Sequence, residues 1–435
     1  MDRRHFLKTS ALSAAGIAAG GILAPESSAK TKTVDTRLES KGFIKEPSRK
    51  IAVVDGADVV VVGGGPAGFA AAIAATRQGC DTLLLERGYF LGGLFTGCDV
   101  TILNDMYTPT PNGRLQAVFG ICDELCDRLW KHEMITWLGT PPNVDTEATK
   151  YFMEEMCREA GVRILYGVQA AEVNMSGDRV EHIILETKSG RVAVSAKFVI
   201  DCTGDGDVLA WTGEDFTEYK YDISAMYRLG NVGGRKGGSV TPNEGVITGH
   251  LGDGVRDVDG LDMYTLTNAQ LELRRRMWDS AWKLRQTPGN EKAYLLSTPS
   301  VVGVRITRVL NSVFNVTTEG AATARSYDDV IGFTGADSTL RWNGTSIPRV
   351  QRKMWQVPYR SLVPKKVTNL LVAGRCFGFE QELTYDAREV GTCLMTGQAA
   401  GTAAAQAVAH RLGCRDVDVK LLQKTLRENN VKLDW

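Results

Sequence analysis

Residues Asp58–Glu86 read DVVVVGGGPAGFAAAIAATRQGCDTLLLE, and this stretch decides the fold. The all-apolar run Val59–Val62 is what a parallel strand buried on both faces requires, and it runs directly into Gly63, Gly65 and Gly68 in G-x-G-x-x-G order. Each glycine has its own task. The first permits a tight turn, the second lets a pyrophosphate approach the backbone, and the third lets a helix over about 67–78 lie close to the strand. Pro66 suits the first helical turn, where no N–H is needed, and Ala67 follows it in the turn whose unpaired N–H groups favour a diphosphate. A second apolar strand, Thr82–Leu85, ends in Glu86, placed where a carboxylate would accept ribose hydroxyls. A glycine triplet alone is weak evidence; strand, helix, second strand and acid in this order read as a dinucleotide-binding unit.

The remainder of the chain sets the context. With 435 residues, 43% of them hydrophobic, it has room for two or three domains and a substantial core. Lys plus Arg and Asp plus Glu both number 51, so charge offers no case for a nucleic-acid partner. Met1–Ala29 reads as an export signal: Arg3 and Arg4 precede His5-Phe6-Leu7-Lys8, an Ala/Gly-rich run follows, and Ser27-Ser28-Ala29 supplies small residues for cleavage. It resembles a twin-arginine signal, implying the twin-arginine export machinery as a partner and the periplasm or cell exterior as destination. A retained membrane anchor fits less well because Gly16, Gly20 and Gly21 weaken a spanning helix. The nine cysteines are scattered without C-x-x-C pairs, and Cys122 and Cys126, one helical turn apart, suit core packing better than a metal.

The expected division is a signal over 1–29, a polar lead-in over 30–54, a nucleotide domain over 55–210 and 364–411, a substrate or cap domain over 211–363, and a tail over 412–435. Leu115–His132 and Asp145–Ala160 have helical periodicity. From Val162 the period changes to two, giving a β-meander with turns at Ser176-Gly177-Asp178 and Ser189-Gly190. It ends on Phe198–Ile200, which runs into DCTGDGD. The acids there raise a metal site, but the glycines fit a backbone turn at least as well, and no metal is expected. Helix near 266–284, a buried strand over 368–373 and an Ala-rich helix over 391–411 complete the outline.

Taken together, VVVVGGGPAGFAAA, ERGYFLGG, AKFVIDCTGDGD, VPYRSLVPKKVTNLLVAGR and GTCLMTGQAAGTAAA resemble the FAD-dependent oxidoreductases among the two-domain, glutathione-reductase-like flavoproteins. The likeness spans about Asp55–Ala409. It implies an α/β fold: a Rossmann-like FAD-binding domain with an inserted β-meander and a second, mixed α+β substrate domain. It also implies FAD, with Gly63, Gly65 and Gly68 at the pyrophosphate, Glu86 with Arg87 at the adenosine ribose, and Gly92 and Gly93 along the cofactor. Thr203 and Gly204 would close the site and Gly374 with Arg375 would meet the ribityl chain. A helix beginning near Gly397, with Gln398 in its first turn, would point at the flavin pyrimidine, where a helix N-terminus steadies negative charge. Related sequences often carry a His-Glu pair ahead of an Arg; here Gln381, Glu382 and Arg388 stand in those positions. Glu382 is then the first candidate for a proton acceptor and Arg388 for a substrate or flavin contact, with surface salt bridges as the plain alternative. Arg360 is either a substrate contact or an interface ion pair. Cys98 suits core burial better than a thiol at the flavin.

The expected activity is hydride transfer between flavin N5 and a small-molecule organic substrate. One glycine fingerprint leaves no second nucleotide domain for a nicotinamide, so the electron partner is expected to be a quinone, a cytochrome, another redox protein or oxygen. Arg305, Arg308, Arg341, Arg349, Arg352, Trp342 and Trp355 suit a carboxylate, a sugar or an interface equally. Reduction of an activated double bond, or a non-catalytic flavin-binding subunit, are the alternatives.

Overall fold

The computed structural model describes residues 42, 44–110, 113–136, 142–233, 239–252, 254–336 and 338–434. The export signal expected over 1–29, and most of the lead-in, lie outside the described residues.

Seven strands, drawn from three separate parts of the chain, form the central sheet. β1 (Ala52–Val62) is flanked in parallel by β2 (Thr82–Glu86) and, along nearly its whole length, by the long hairpin strand Gly190–Asp201. Being sandwiched on both edges and both faces, Val59–Val62 are no more than 3% exposed. Burying each such side chain contributes roughly 1.5–3 kcal/mol, which is why this run tolerates no polar residue. The meander forms as expected, with β3 (Arg163–Tyr166), β4 (Gln169–Ser176), β5 (Arg179–Thr187) and β6 (Gly190–Asp201). It is not a separate insert, however: β3 pairs in parallel with β2, and β6 carries both the last meander pairing and the central parallel pairing. The strand Leu370–Val372 joins in parallel on β6.

β1 also starts earlier than the polar lead-in suggested. Its outer half, Ala52–Ala57, pairs with Val192–Ala196, and Arg163 holds it by donating to both carboxylate oxygens of Asp55 at 2.8–2.9 Å. Charged residues in an edge-like segment hide a strand from a hydrophobicity pattern.

Helices cover one face. α1 (Pro66–Arg77) follows β1; α2 (Ile121–Lys131) and α3 (Thr146–Ala160) pack nearby, α3 being capped by Asp145, which accepts the Ala148 N–H at 2.8 Å. The helical reading from Leu115 is corrected at its start. Gly113–Gln116 pairs with Tyr107–Thr110 as a hairpin, and the helix begins only after Gly120, whose φ of 75° breaks the chain direction. The segment beyond 211 builds several small antiparallel sheets, two of them with more than two strands. One holds Tyr221–Ser224, Val255–Val258 and Gly303–Val304; the other includes Met226–Gly230, Ile247–His250 and Tyr294–Ser297. α4 (Met263–Arg285) packs on them through Ala269, Leu273, Met277 and Ala281. The chain then returns to the first layer with α5 (Val390–His410), which lies along α1.

Candidate active site

The turn after β1 and the loop after β6 meet on one edge of the sheet, and a cavity of about 1050 Å³ opens there. Gly63, at φ 101°, is wedged against the end of β6: a Cβ on it would lie 2.4 Å from the Cys202 carbonyl oxygen. A Cβ on Gly68 would fall 1.7 Å from the Gly63 carbonyl oxygen, so this glycine sets the approach of helix to strand. Gly65 differs, since a Cβ there would meet nothing within 4 Å and the residue faces the cavity. α1 begins at Pro66 with no side chain capping it, which leaves the N–H groups of its first turn available to an anion beside Gly65, Pro66 and Ala67.

Glu86 lines the same end and ties two turns together, accepting the Gly64 N–H at 2.7 Å and the Gly88 N–H at 2.6 Å; each oxygen keeps a second lone pair. Arg87 is exposed at the cavity rim. Gly93 packs its backbone against Gly65, whereas Gly92 donates to the Gly64 carbonyl at 2.8 Å and stays behind the lining. On the β6 side, Asp201 is fully buried and accepts from the Thr203 N–H, the Thr203 hydroxyl and the Leu209 N–H. Burial outweighs those bonds and raises its carboxyl to about 6. The Thr203-Gly204 turn so shaped lets Arg375 cross: a Cβ on Gly204 would sit 2.6 Å from Arg375 Nε. Arg375 Nη2 donates to Asp205 at 2.7 Å, while its buried Nη1 has no partner. Gly374, at φ 79°, lines the cavity next to it. Open space at Gly65, an uncapped helix N-terminus and an unpartnered guanidinium nitrogen fit a long diphosphate-bearing cofactor such as FAD.

Four expectations need correction. Gly397 lies seven residues inside α5, where a Cβ would meet the Ala67 carbonyl oxygen at 2.1 Å, as one on Gly401 would meet that of Ala71. These glycines, four apart, let two Ala-rich helices touch backbone to backbone; it is the true N-terminus, at Val390 and Cys393, that lines the cavity. Gln398 faces the other way and accepts the Ile121 N–H at 3.0 Å, serving α2. Glu382 is exposed, within 3.4 Å of the Thr318 hydroxyl, and does not line the cavity. Arg360 is also outside it, stacked 4.6 Å over Phe314 and 3.5 Å from Asp329. The loop motif that carried Glu382 turns outward because Asp386, not Glu382, is its buried acid: Asp386 pairs with Arg352 and accepts from Ser338 and Trp355. Arg352 and Trp355 are thereby committed to the core.

The opposite end of the cavity is made by residues from three distant segments. Arg388 lines it beside the buried Glu389, 3.1 Å away, and its buried Nε has no partner. Arg305, directly after the Gly303–Val304 strand, has Asp222 only at 4.0 Å; burial and the Arg388 charge lower its pKa. His250, at the end of its strand, is exposed to the same space, and partial desolvation followed by the Arg305 and Arg388 charges holds it below the ordinary imidazole value. Its Nδ1 accepts the Gly252 N–H at 2.9 Å, so the neutral ring carries its proton on Nε2. Cys98 lies in the lining, but burial pushes its thiol up to about 12, which leaves it unreactive. All nine cysteines are buried and unbridged. His250 escaped the sequence reading because a lone His on a four-residue strand carries no motif. Arg305, within GVRITR, was visible only as one of many arginines.

The chain matches the family described as FAD dependent oxidoreductase over residues 58–220 and 215–426. Thiamine thiazole synthase of Methanococcus vannielii is 29% identical over 155 residues, 34% of this chain and 56% of that protein, so the chain spans little more than half of that relative's length. The same enzyme of Sulfolobus acidocaldarius is 28% identical over 194 residues, 42% of this chain and 69% of that protein. Among solved structures, a geranylgeranyl bacteriochlorophyll reductase-like protein from Thermoplasma acidophilum is similar over 86% of this chain and 83% of its own, with 17% identity and a TM-score of 0.44.

Proposed function

The chain belongs to the family of FAD dependent oxidoreductases, and from that premise we propose that it exchanges a hydride with a small organic substrate whose acidic or carbonyl oxygen is held by Arg305, Arg388 and His250. One observation carries the reading: the same cavity joins the glycine turn at Gly65 to this cationic cluster, which gives cofactor and substrate one shared space. Bound FAD supplies the two-electron carrier, with hydride exchange at its N5. The remaining work falls to side chains. Two guanidinium groups offer planar, permanently charged forks for a carboxylate; Glu389 pairs closely only with Arg388, at 3.1 Å, and Asp222 reaches Arg305 at 4.0 Å. His250, neutral and proton-bearing at Nε2, is suited to donate to an oxygen rather than to remove a proton.

That cluster also supports the reverse direction. Donors gathered around one oxygen stabilise negative charge developing on it, which is what reduction of an activated double bond requires. The Arg3-Arg4 signal supports export to the periplasm or cell exterior by the twin-arginine machinery, and the single glycine fingerprint supports electron exchange with a separate quinone, cytochrome or redox protein, or with oxygen. The test is anaerobic spectroscopy of the flavin-loaded protein against a panel of hydroxy acids, amino acids and sugars, paired with a reduced-dye assay on unsaturated acids. Bleaching by an acid, or dye oxidation by an unsaturated acid, is expected and would fix the direction. Turnover of uncharged sugars alone, undiminished in Arg305→Ala, would overturn the assignment of the cluster.

A further inference from the structure

α4 is apolar on two sides. Ala269, Leu273, Met277 and Ala281 are buried against the small sheets, yet Leu271, Trp278 and Trp282 are 62%, 60% and 55% exposed. At about 100° per residue these three fall within roughly 40° of one another, forming a ridge that Tyr264 extends toward the helix start. Isolated exposed apolar residues need no explanation, but two tryptophans and a leucine in line on one helix do. One flank of the ridge, with Arg274 and Arg285, is cationic, and Lys283 lies on the other beyond Glu272 and Asp279. Arg274, Lys283 and Arg285 are exposed and no carboxylate pairs with them among the described residues, while Arg275 is held by Glu272 and Asp279. Arg285 lies 5.7 Å over the Trp282 ring. The helix carries five Arg or Lys against two acids in a chain whose net charge is zero, so its positive charge is local.

We propose that α4 is a docking surface for an anionic lipid bilayer, Trp278 and Trp282 entering the headgroup layer and Arg274, Lys283 and Arg285 meeting lipid phosphates. Tryptophan favours that interface because its ring is apolar and its N–H polar, and long basic side chains can keep their stems in apolar contact while their charges stay at the headgroups. A second copy of the chain fits worse: a two-fold pairing of α4 would bring the same surplus of cations face to face. No helix among the described residues is long and apolar enough to cross a membrane, so the contact would be peripheral. The inference does not depend on which substrate the enzyme uses.

The experiment is co-sedimentation of the flavin-loaded protein, without its signal, with vesicles of phosphatidylcholine alone or mixed with phosphatidylglycerol, at low and high salt. Binding is expected to the phosphatidylglycerol vesicles, weakened by salt. It should fall about tenfold or more in Trp278→Ala/Trp282→Ala and in Arg274→Glu/Lys283→Glu/Arg285→Glu. Because these side chains are exposed, flavin content and melting temperature should not change, which separates lost docking from lost folding. No binding, equal binding to phosphatidylcholine, binding unaffected by either variant, or a dimer in light scattering that both variants dissolve would each overturn the proposal.

Discussion

The two ends of the cavity are built on opposite principles. At the Gly65 end, the wall is mostly backbone: a turn, a helix N-terminus and glycines whose missing side chains make room, joined by the Thr203-Gly204 turn and the Arg375 guanidinium. At the Arg305 end it is made by side chains that converge from residues 250, 305 and 388. The first arrangement is rigid because β1 is buried between parallel neighbours. The second rests on small antiparallel sheets with short strands and on the start of α5. A cofactor common to a whole family suits the first; a substrate particular to one member suits the second.

The sharpest way to break this contrast is Gly65→Asp. The new side chain would enter open cavity, so the fold should persist by circular dichroism while a carboxylate replaces the room for a diphosphate; the purified protein should hold no flavin. Retained flavin would remove the backbone half of the contrast. Next, Arg305→Ala and Arg388→Ala should each spare flavin content but lower kcat/KM for an acidic substrate about a hundredfold, some 3 kcal/mol, as expected for losing a half-buried charged contact. Gly397→Ala separates packing from recognition. Its Cβ would press on the Ala67 carbonyl, so it should cost about 1–3 kcal/mol in denaturant unfolding, and flavin-binding affinity measured under folded conditions should hardly move.

A pH test addresses His250. Its folded-state pKa is lowered, so the unfolded chain binds the proton more readily; stability from this group is intact above the ordinary value of 6.5 and is lost as pH falls below it. Substrate binding should likewise stay level through pH 6.5 and change only at lower pH, and His250→Gln should remove that step. The smallest effects belong to Glu382→Gln and Arg360→Ala. Both residues are outside the cavity, so flavin reduction should change by less than about twofold, and Arg360→Ala should cost no more than ~1 kcal/mol of stability for its exposed pair with Asp329. A large kinetic loss in either would move the substrate end elsewhere.

The same contrast explains what could be read in advance. Val59–Val62, the glycine turn, the meander turns and the course of α3 were legible because each depends on neighbours within a few residues: a period of two or 3.6, or a φ only glycine adopts comfortably. Gly397 was misread because a glycine in an Ala-rich helix looks the same whether a ligand or another helix approaches it. Glu382 was misread because sequence places an acid in a loop without saying which of its neighbours, here Asp386, turns inward.

Sequence alone determined the nucleotide-binding βαβ unit, since strand burial, turn conformation and helix start are all local consequences of residue type. Only the tertiary structure decided the opposite wall. The distance between His250, Arg305 and Arg388 depends on how two small sheets and the Glu389–Val390 helix start pack over the cavity, and the charges that add to desolvation in lowering the His250 pKa come from residues 55 and 138 positions away in the chain.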